Sequence, residues 1–241
     1  MVSLLELNPD DKCLVIAPHA DDESIGCGGL LLKYPDNCDV VVLTDGGKGG
    51  VGDERVIIVN RLAELKNAMQ YANIKNYKNL MIPDREAKYN THVLNQLNLN
   101  KYDYVFIPNK YEFHVDHSFL YRKVKKLLRF ALKTKIICYE VWSPIPNPDL
   151  YLDISDVINK KTELISNYES QIRCNDYATK TISLNNYRGL RAGVEYAEGY
   201  IMVLPLIQKL KPAYQKTNEL LYLSFMGIKI KFRLQRKIFR K

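Results

Sequence analysis

Five short apolar runs alternate with longer stretches of helical pattern along the first 141 residues, and this alternation constrains the fold more than any other feature. The runs lie near 12–17, 39–44, 79–82, 103–107 and 136–141, and the helical patterns near 24–34, 54–72, 91–98 and 116–134. Strands that alternate with helices predict an α/β fold, a Rossmann-like three-layer sandwich with a mostly parallel, right-handed sheet covered on both faces. Open sheets of this kind take their ligands at the carboxyl ends of the strands. The stretch after Trp142 holds Pro144, Pro146 and Pro148, which predicts a turn-rich excursion before a further helix near 156–168.

Two of the strand exits carry chemistry. The run Cys13-Leu14-Val15-Ile16 leads into His19-Ala20-Asp21-Asp22-Glu23, and Tyr104-Val105-Phe106-Ile107-Pro108 precedes His114-Val115-Asp116-His117. An imidazole beside adjacent carboxylates is costly to bury without a cation or a reaction to justify it. Zinc suits the set, because a catalytic zinc takes three protein ligands from His and Asp or Glu and keeps a fourth position open. His19 and Asp22 supply two such ligands, and a distant segment must supply the third. Three of the four histidines fall in these two clusters; His92 stands apart in a polar stretch and reads as a surface residue.

Composition fits one enzyme-sized domain. The 241 residues are 46% hydrophobic, enough for a substantial core, and no repeat or low-complexity linker divides them. The amino-terminal stretch lacks the basic start and apolar centre of a signal peptide, and no apolar run reaches the roughly 18–20 residues that span a bilayer. Five scattered cysteines without CxxC spacing suit a reducing cytoplasm. The net charge is +8, but the segment Lys229–Lys241 alone carries seven Lys or Arg and no acid, leaving +1 for the remainder. No basic groove for nucleic acid is expected on the folded part. We therefore divide the chain into a single domain at 1–223 and a basic tail at 224–241.

The paired motifs resemble the PIG-L/LmbE-like zinc-dependent de-N-acetylases, whose first motif reads His-Pro-Asp-Asp-Glu and whose second reads His-x-Asp-His. Here Ala20 replaces the proline, which affects turn stiffness more than chemistry. Further likenesses are Leu43-Thr44-Asp45-Gly46-Gly47, Arg61-Leu62-Ala63-Glu64, Ile82-Pro83-Asp84-Arg85, Ser170-Gln171 and Ala197-Glu198-Gly199-Tyr200. The resemblance runs from about residue 12 to about 203. It implies metal ligands His19, Asp22 and His117, with Zn²⁺ as the ion and Fe²⁺ or another divalent ion as the alternative. It also implies removal of an N-acetyl group from an N-acetylglucosamine-type sugar or sugar conjugate, in cell-surface glycan or glycolipid biosynthesis among other settings.

On that resemblance Asp21 is the general base and then the acid that protonates the leaving amine. His114 is the oxyanion donor, and Asp116 holds its ring cationic and oriented. Asp45, Arg61, Asp84 and Arg85 are assigned to the substrate. Other readings stand beside these. Asp21, Asp22 and Glu23 also suit a helix start, and Arg61 and Glu64, one turn apart, suit an exposed ion pair. Gly26-Cys27-Gly28-Gly29 resembles a dinucleotide loop, although the acidic motif occupies the turn where the fingerprint belongs. A non-catalytic sugar- or nucleotide-binding protein is the alternative function. The tail interleaves its basic residues with Ile228, Ile230, Phe232, Leu234, Ile238 and Phe239. Such a pattern fits peripheral contact with an anionic membrane at the inner face of the cell, or a solvated basic end.

Overall fold

A computed structural model of the chain describes residues 3–173, 175–206 and 208. Its elements in order are β1 (Ser3–Leu4), β2 (Cys13–Ala17), α1 (Asp22–Lys33), β3 (Cys38–Thr44), α2 (Glu54–Tyr71), β4 (Asn76–Ile82), α3 (Thr91–Asn95) and β5 (Tyr104–Pro108). There follow α4 (Val115–Leu127), β6 (Lys135–Tyr139), β7 (Leu150–Asp153), α5 (Ile158–Ser166), α6 (Glu169–Ile172), α7 (Tyr177–Ala192) and β8 (Ala197–Val203). One sheet runs β1-β7-β8-β6-β5-β2-β3-β4. All its pairings are parallel except those of β8, which lies antiparallel between β6 and β7.

Strand periodicity builds the two faces. Cys13, Val15 and Ala17 of β2 pack with α1, α2 and α5, whereas Leu14 and Ile16 pack with Leu120 and Val124 of α4. The α/β three-layer arrangement is thus present, with central strands buried on both sides. The chain leaves β2, crosses to β3 and β4 on one side, and returns to place β5 on the other. The space beyond the carboxyl ends of β2 and β5 is therefore the switch point of the sheet, where such folds bind ligands.

Several expectations are corrected. The pattern at 91–98 yields only the five-residue α3, because the Asn-rich segment after it turns through Leu99–Lys101 to reach β5. The helix expected over 116–134 stops at Leu127, and residues 128–134 bend back so that Thr134 can donate to the Tyr102 carbonyl before β6 begins. The glycines of α1 are packing positions rather than a phosphate loop. A Cβ at Gly26 would stand 2.2 Å from the Tyr139 ring, and one at Gly29 would stand 2.2 Å from Ile154. Cys13, Cys27, Cys38 and Cys138 are free and buried; Cys174 lies outside the described residues. The tail at 224–241 and the proposed boundary at 223 also lie outside them. Among the described residues no helix is long and apolar enough to cross a membrane.

Candidate metal centre and active site

His19 follows β2, Asp22 opens α1, and His117 sits in the first turn of α4. Three of their atoms converge: His19 Nδ1 lies 3.3 Å from Asp22 Oδ2, His117 Nε2 lies 3.2 Å from the same oxygen, and the two ring nitrogens are 3.3 Å apart. Ligands held at 2.0–2.1 Å in a tetrahedron are separated by about 3.3 Å, so the triangle has the edge length of a zinc site's face. Without a cation the arrangement is conflicted, because two protonated ring nitrogens cannot face each other at that distance. The donor set, two imidazole nitrogens and one carboxylate oxygen, fits a divalent ion.

Burial alone would hold Asp22 in its neutral form, but His117 and His19 outweigh it and keep the carboxylate ionised well below its usual range. Burial likewise opposes charge on His117, yet Asp22 and Glu112 raise it to about 9. His19 rises well above its ordinary value, as bonds to Asp116, Asp22 and Asp84 override its burial. In these directions the buried carboxylates call for positive charge beside them.

The outward nitrogens of both rings meet carboxylates. His19 Nε2 is 3.3 Å from Asp84 Oδ1 and 3.5 Å from Asp116 Oδ2, and His117 Nδ1 is 3.5 Å from Glu112 Oε2. Carboxylates behind ligand histidines fix the tautomer and raise ligand basicity. His114 also has a ring nitrogen within 4.8 Å of the other two histidines. Its Nδ1, however, accepts from the Asp116 amide at 3.3 Å, capping α4 and placing the ring proton on Nε2. The tight triangle could hold a metal ion, with His114 beside it.

Asp21 stands beside the triangle at φ 143° and ψ −32°, a strained backbone position outside the left-handed helical well. The Glu23 carboxylate accepts from the Asp21 amide at 3.1 Å and is itself held by Ser24 and the Tyr168 hydroxyl. Burial raises Asp21 to about 7, with Arg61 opposing and Asp22 reinforcing the rise. Arg61 Nη2 donates to the Ala20 carbonyl at 2.7 Å and approaches Asp21 at 3.4 Å. The glycine-rich loop cradles this guanidinium: a Cβ at Gly49 would stand 2.2 Å from its Nη1.

A cleft of about 240 Å³ opens over these groups, lined by His19, Asp21, Arg61, Asp84, Arg85 and His114 together with Trp142 and Tyr177. Several of these residues have partners that the sequence did not display. Asp116 turns to His19 and to the amides of Arg85 and Ala87, so it does not hold His114 cationic. Burial and the two neighbouring histidines lower His114 instead, favouring a neutral ring. Asp84 also serves His19, and His19 with other partners lowers it to about 2 against its burial. Asp45 is spent on the amides of Gly47 and Asp84, 3.0 Å each, and does not line the cleft. Arg61 and Glu64 form no ion pair: Glu64 binds the amide and hydroxyl of Ser170 at 2.7 Å, and Gln171 reaches the Gly49 carbonyl. Arg85 is exposed at the rim with φ 70°. His92 is exposed, as expected.

Glu112 and Trp142 were not singled out from the sequence. Trp142 lies over His117 with ring centroids 5.1 Å apart and planes 22° from parallel, and Phe113 also stacks on Trp142, with centroids 5.5 Å apart. A buried acid two residues before a histidine motif was the available signal for Glu112.

Comparison with known proteins finds similar chains and folds. The PIG-L family, described as GlcNAc-PI de-N-acetylase, matches residues 14–128, the part that holds both histidine motifs. A diacetylchitobiose deacetylase of Thermococcus kodakarensis is 29% identical, over 80% of this chain and 83% of that one. The N,N'-diacetylchitobiose deacetylase of Pyrococcus horikoshii superposes with a TM-score of 0.69 at 25% identity, covering 82% of this chain and 85% of that one. The conserved protein TT1542 of Thermus thermophilus gives 0.67 at 26% identity, covering 80% and 95%. With its paired motifs gathered at the switch point of the sheet, the chain is similar to the PIG-L family over residues 14–128 and to these deacetylases over most of its length.

Proposed function

We propose that this protein is a metal-dependent hydrolase that removes the N-acetyl group from an N-acetylglucosamine-type sugar or sugar conjugate, releasing acetate and a free amine. The observation that carries the proposal is the triangle of His19, Asp22 and His117 with a titrating acid, Asp21, against it. His19, Asp22 and His117 would hold the ion, Zn²⁺ being the best fit to the donor set. When bound, the ion supplies a Lewis acid for the amide carbonyl and acidifies water.

The chain's own residues do the rest. Asp21 takes a proton from the attacking water as its oxygen bonds to the acetyl carbon, and returns that proton to the nitrogen as the C–N bond breaks. A pKa near 7 suits both halves of this exchange. Neutral His114, with its proton on Nε2, donates to the oxyanion that forms on the acetyl oxygen. Arg61 holds the Asp21 loop through the Ala20 carbonyl. Arg85 at the rim is placed to meet sugar hydroxyls. The deacetylase names of two relatives support the substrate class. Amine release from a panel of N-acetylated sugars, nucleotide sugars and lipid-linked sugars tests it. Turnover of none of them by zinc-loaded protein would refute it.

A further inference from the structure

We infer that Glu112 is a positioning residue that selects the metal-binding tautomer of His117 and ties that histidine to the turn carrying Trp142; the inference rests on the metal centre described above. Glu112 lies between β5 and α4 and its side chain is wholly buried. Its Oε1 accepts from the amides of Val141, Trp142 and Ser143, 3.1 Å each, and from Asn109 Nδ2 at 3.4 Å. Four donors thus converge on one oxygen, and no protonated or amide nitrogen can take its place.

The other oxygen, Oε2, has no hydrogen-bond partner, and neither does His117 Nδ1; the two buried atoms face each other at 3.5 Å. A proton on Nδ1 satisfies both. The lone pair of Nε2 is then directed at Asp22 and His19, as a metal ligand requires. The turn that surrounds Oε1 also lays Trp142 over the His117 ring. One carboxylate therefore fixes the ring's tautomer, and through its amides it fixes the aromatic cover.

The substitution Glu112→Gln isolates the effect. The four donors compel the amide oxygen to replace Oε1, which turns the NH₂ group towards His117 Nδ1. That nitrogen must then accept, so the ring proton moves to Nε2 and blocks the triangle. We expect zinc affinity, read by competition with a chelating dye on the full chain, to fall about 10- to 100-fold. Trp142 is the only tryptophan of the chain, so its emission follows zinc seating directly, and its response should move to the same higher zinc concentration.

Ser118→Ala is the control, because it removes a 2.7 Å bond to the Glu112 carbonyl and leaves the carboxylate alone. Its zinc affinity should stay within about threefold of the wild type. If Glu112→Gln does not fold, Glu112→Asp is read in the same way, since it keeps the charge but withdraws it from Nδ1. Wild-type zinc affinity in the Glu112 variant, or an equal loss in Ser118→Ala, overturns the inference. Wild-type protein that binds no zinc overturns the metal centre itself, which is a separate result.

Discussion

Replacing Asp21 with Asn should make the metal-free protein more stable while it disables turnover. A carboxyl moved from its ordinary 3.8 to about 7 disfavours its ionised form in the fold by about 4 kcal/mol at most, at roughly 1.4 kcal/mol per pH unit. The realised figure is smaller, because the side chain is 12% exposed and Asn gives up the Arg61 contact at 3.4 Å. We expect a gain of about 1–2 kcal/mol above pH 7, or roughly 2–8 °C in Tm for a domain of this size. The sign follows from proton binding. Between about pH 4 and 7 the folded chain holds a proton at Asp21 that the unfolded chain has released, so this group's contribution to stability falls as pH rises through that window. Asn has no such titration, and the slope should shrink. Asn at position 21 meets the same strained φ of 143°, so the substitution leaves the backbone strain in place. Thermal unfolding in chelator at pH 5 and pH 8 measures both effects. A variant less stable than wild type at pH 8, with an unchanged pH slope, refutes the reasoning. In the zinc-loaded enzyme the same substitution should keep the metal and lower kcat about 10²- to 10⁴-fold.

Other consequences are independent of that one. His114→Ala should retain the metal and chiefly lower kcat, because the charge it meets exists only in the transition state; a defect confined to KM would contradict its role. Gly26→Ala should destabilise the chain by about 1–3 kcal/mol in chemical denaturation, since the added methyl meets the Tyr139 ring; a neutral result would mean that α1 shifts freely on β6. Removing residues 224–241 should abolish salt-sensitive co-sedimentation with anionic vesicles and leave hydrolysis of a soluble substrate intact. Equal recovery of both proteins in the pellet would eliminate the membrane role of the tail.

The sequence made β2, β3, β5 and β6 readable because they are largely apolar runs that end at turn residues, whereas β1 was not foreseen and β4 begins three residues before its apolar end. It hid the second half of the fold. β7 is four residues among prolines, and β8 carries Glu198 and Gly199 in its interior. Glu198 is buried because Lys161, Tyr200 and two amides of α1 all bond to it, a set of partners no local pattern displays. α7 buries Asn185, Arg188 and Gly189 rather than an apolar stripe, although Asp176 at its start and Gly193 at its end mark it as a helix. At the site, residue type and spacing were enough to gather His19, Asp22, Asp21, His114 and His117. What each carboxylate faces was not readable, since only the folded chain brings Asp84 and Asp116 to His19 Nε2 and Glu112 to His117 Nδ1. Arg61 shows the same limit, because its role beside Asp21 depends on a loop whose glycines let the guanidinium through.

The central claim is that one divalent ion in the triangle and Asp21 beside it together hydrolyse an acetamido sugar. Stoichiometric zinc titration of chelator-stripped protein, with acetate release followed at each addition, tests it most directly. The account predicts turnover that rises to a plateau at one zinc per chain in the wild type. It predicts no plateau at that ratio for His117→Ala or Asp22→Asn, and a full zinc complement without turnover for Asp21→Asn. Undiminished acetate release from the stripped protein, or a full complement of zinc in His117→Ala, would contradict it.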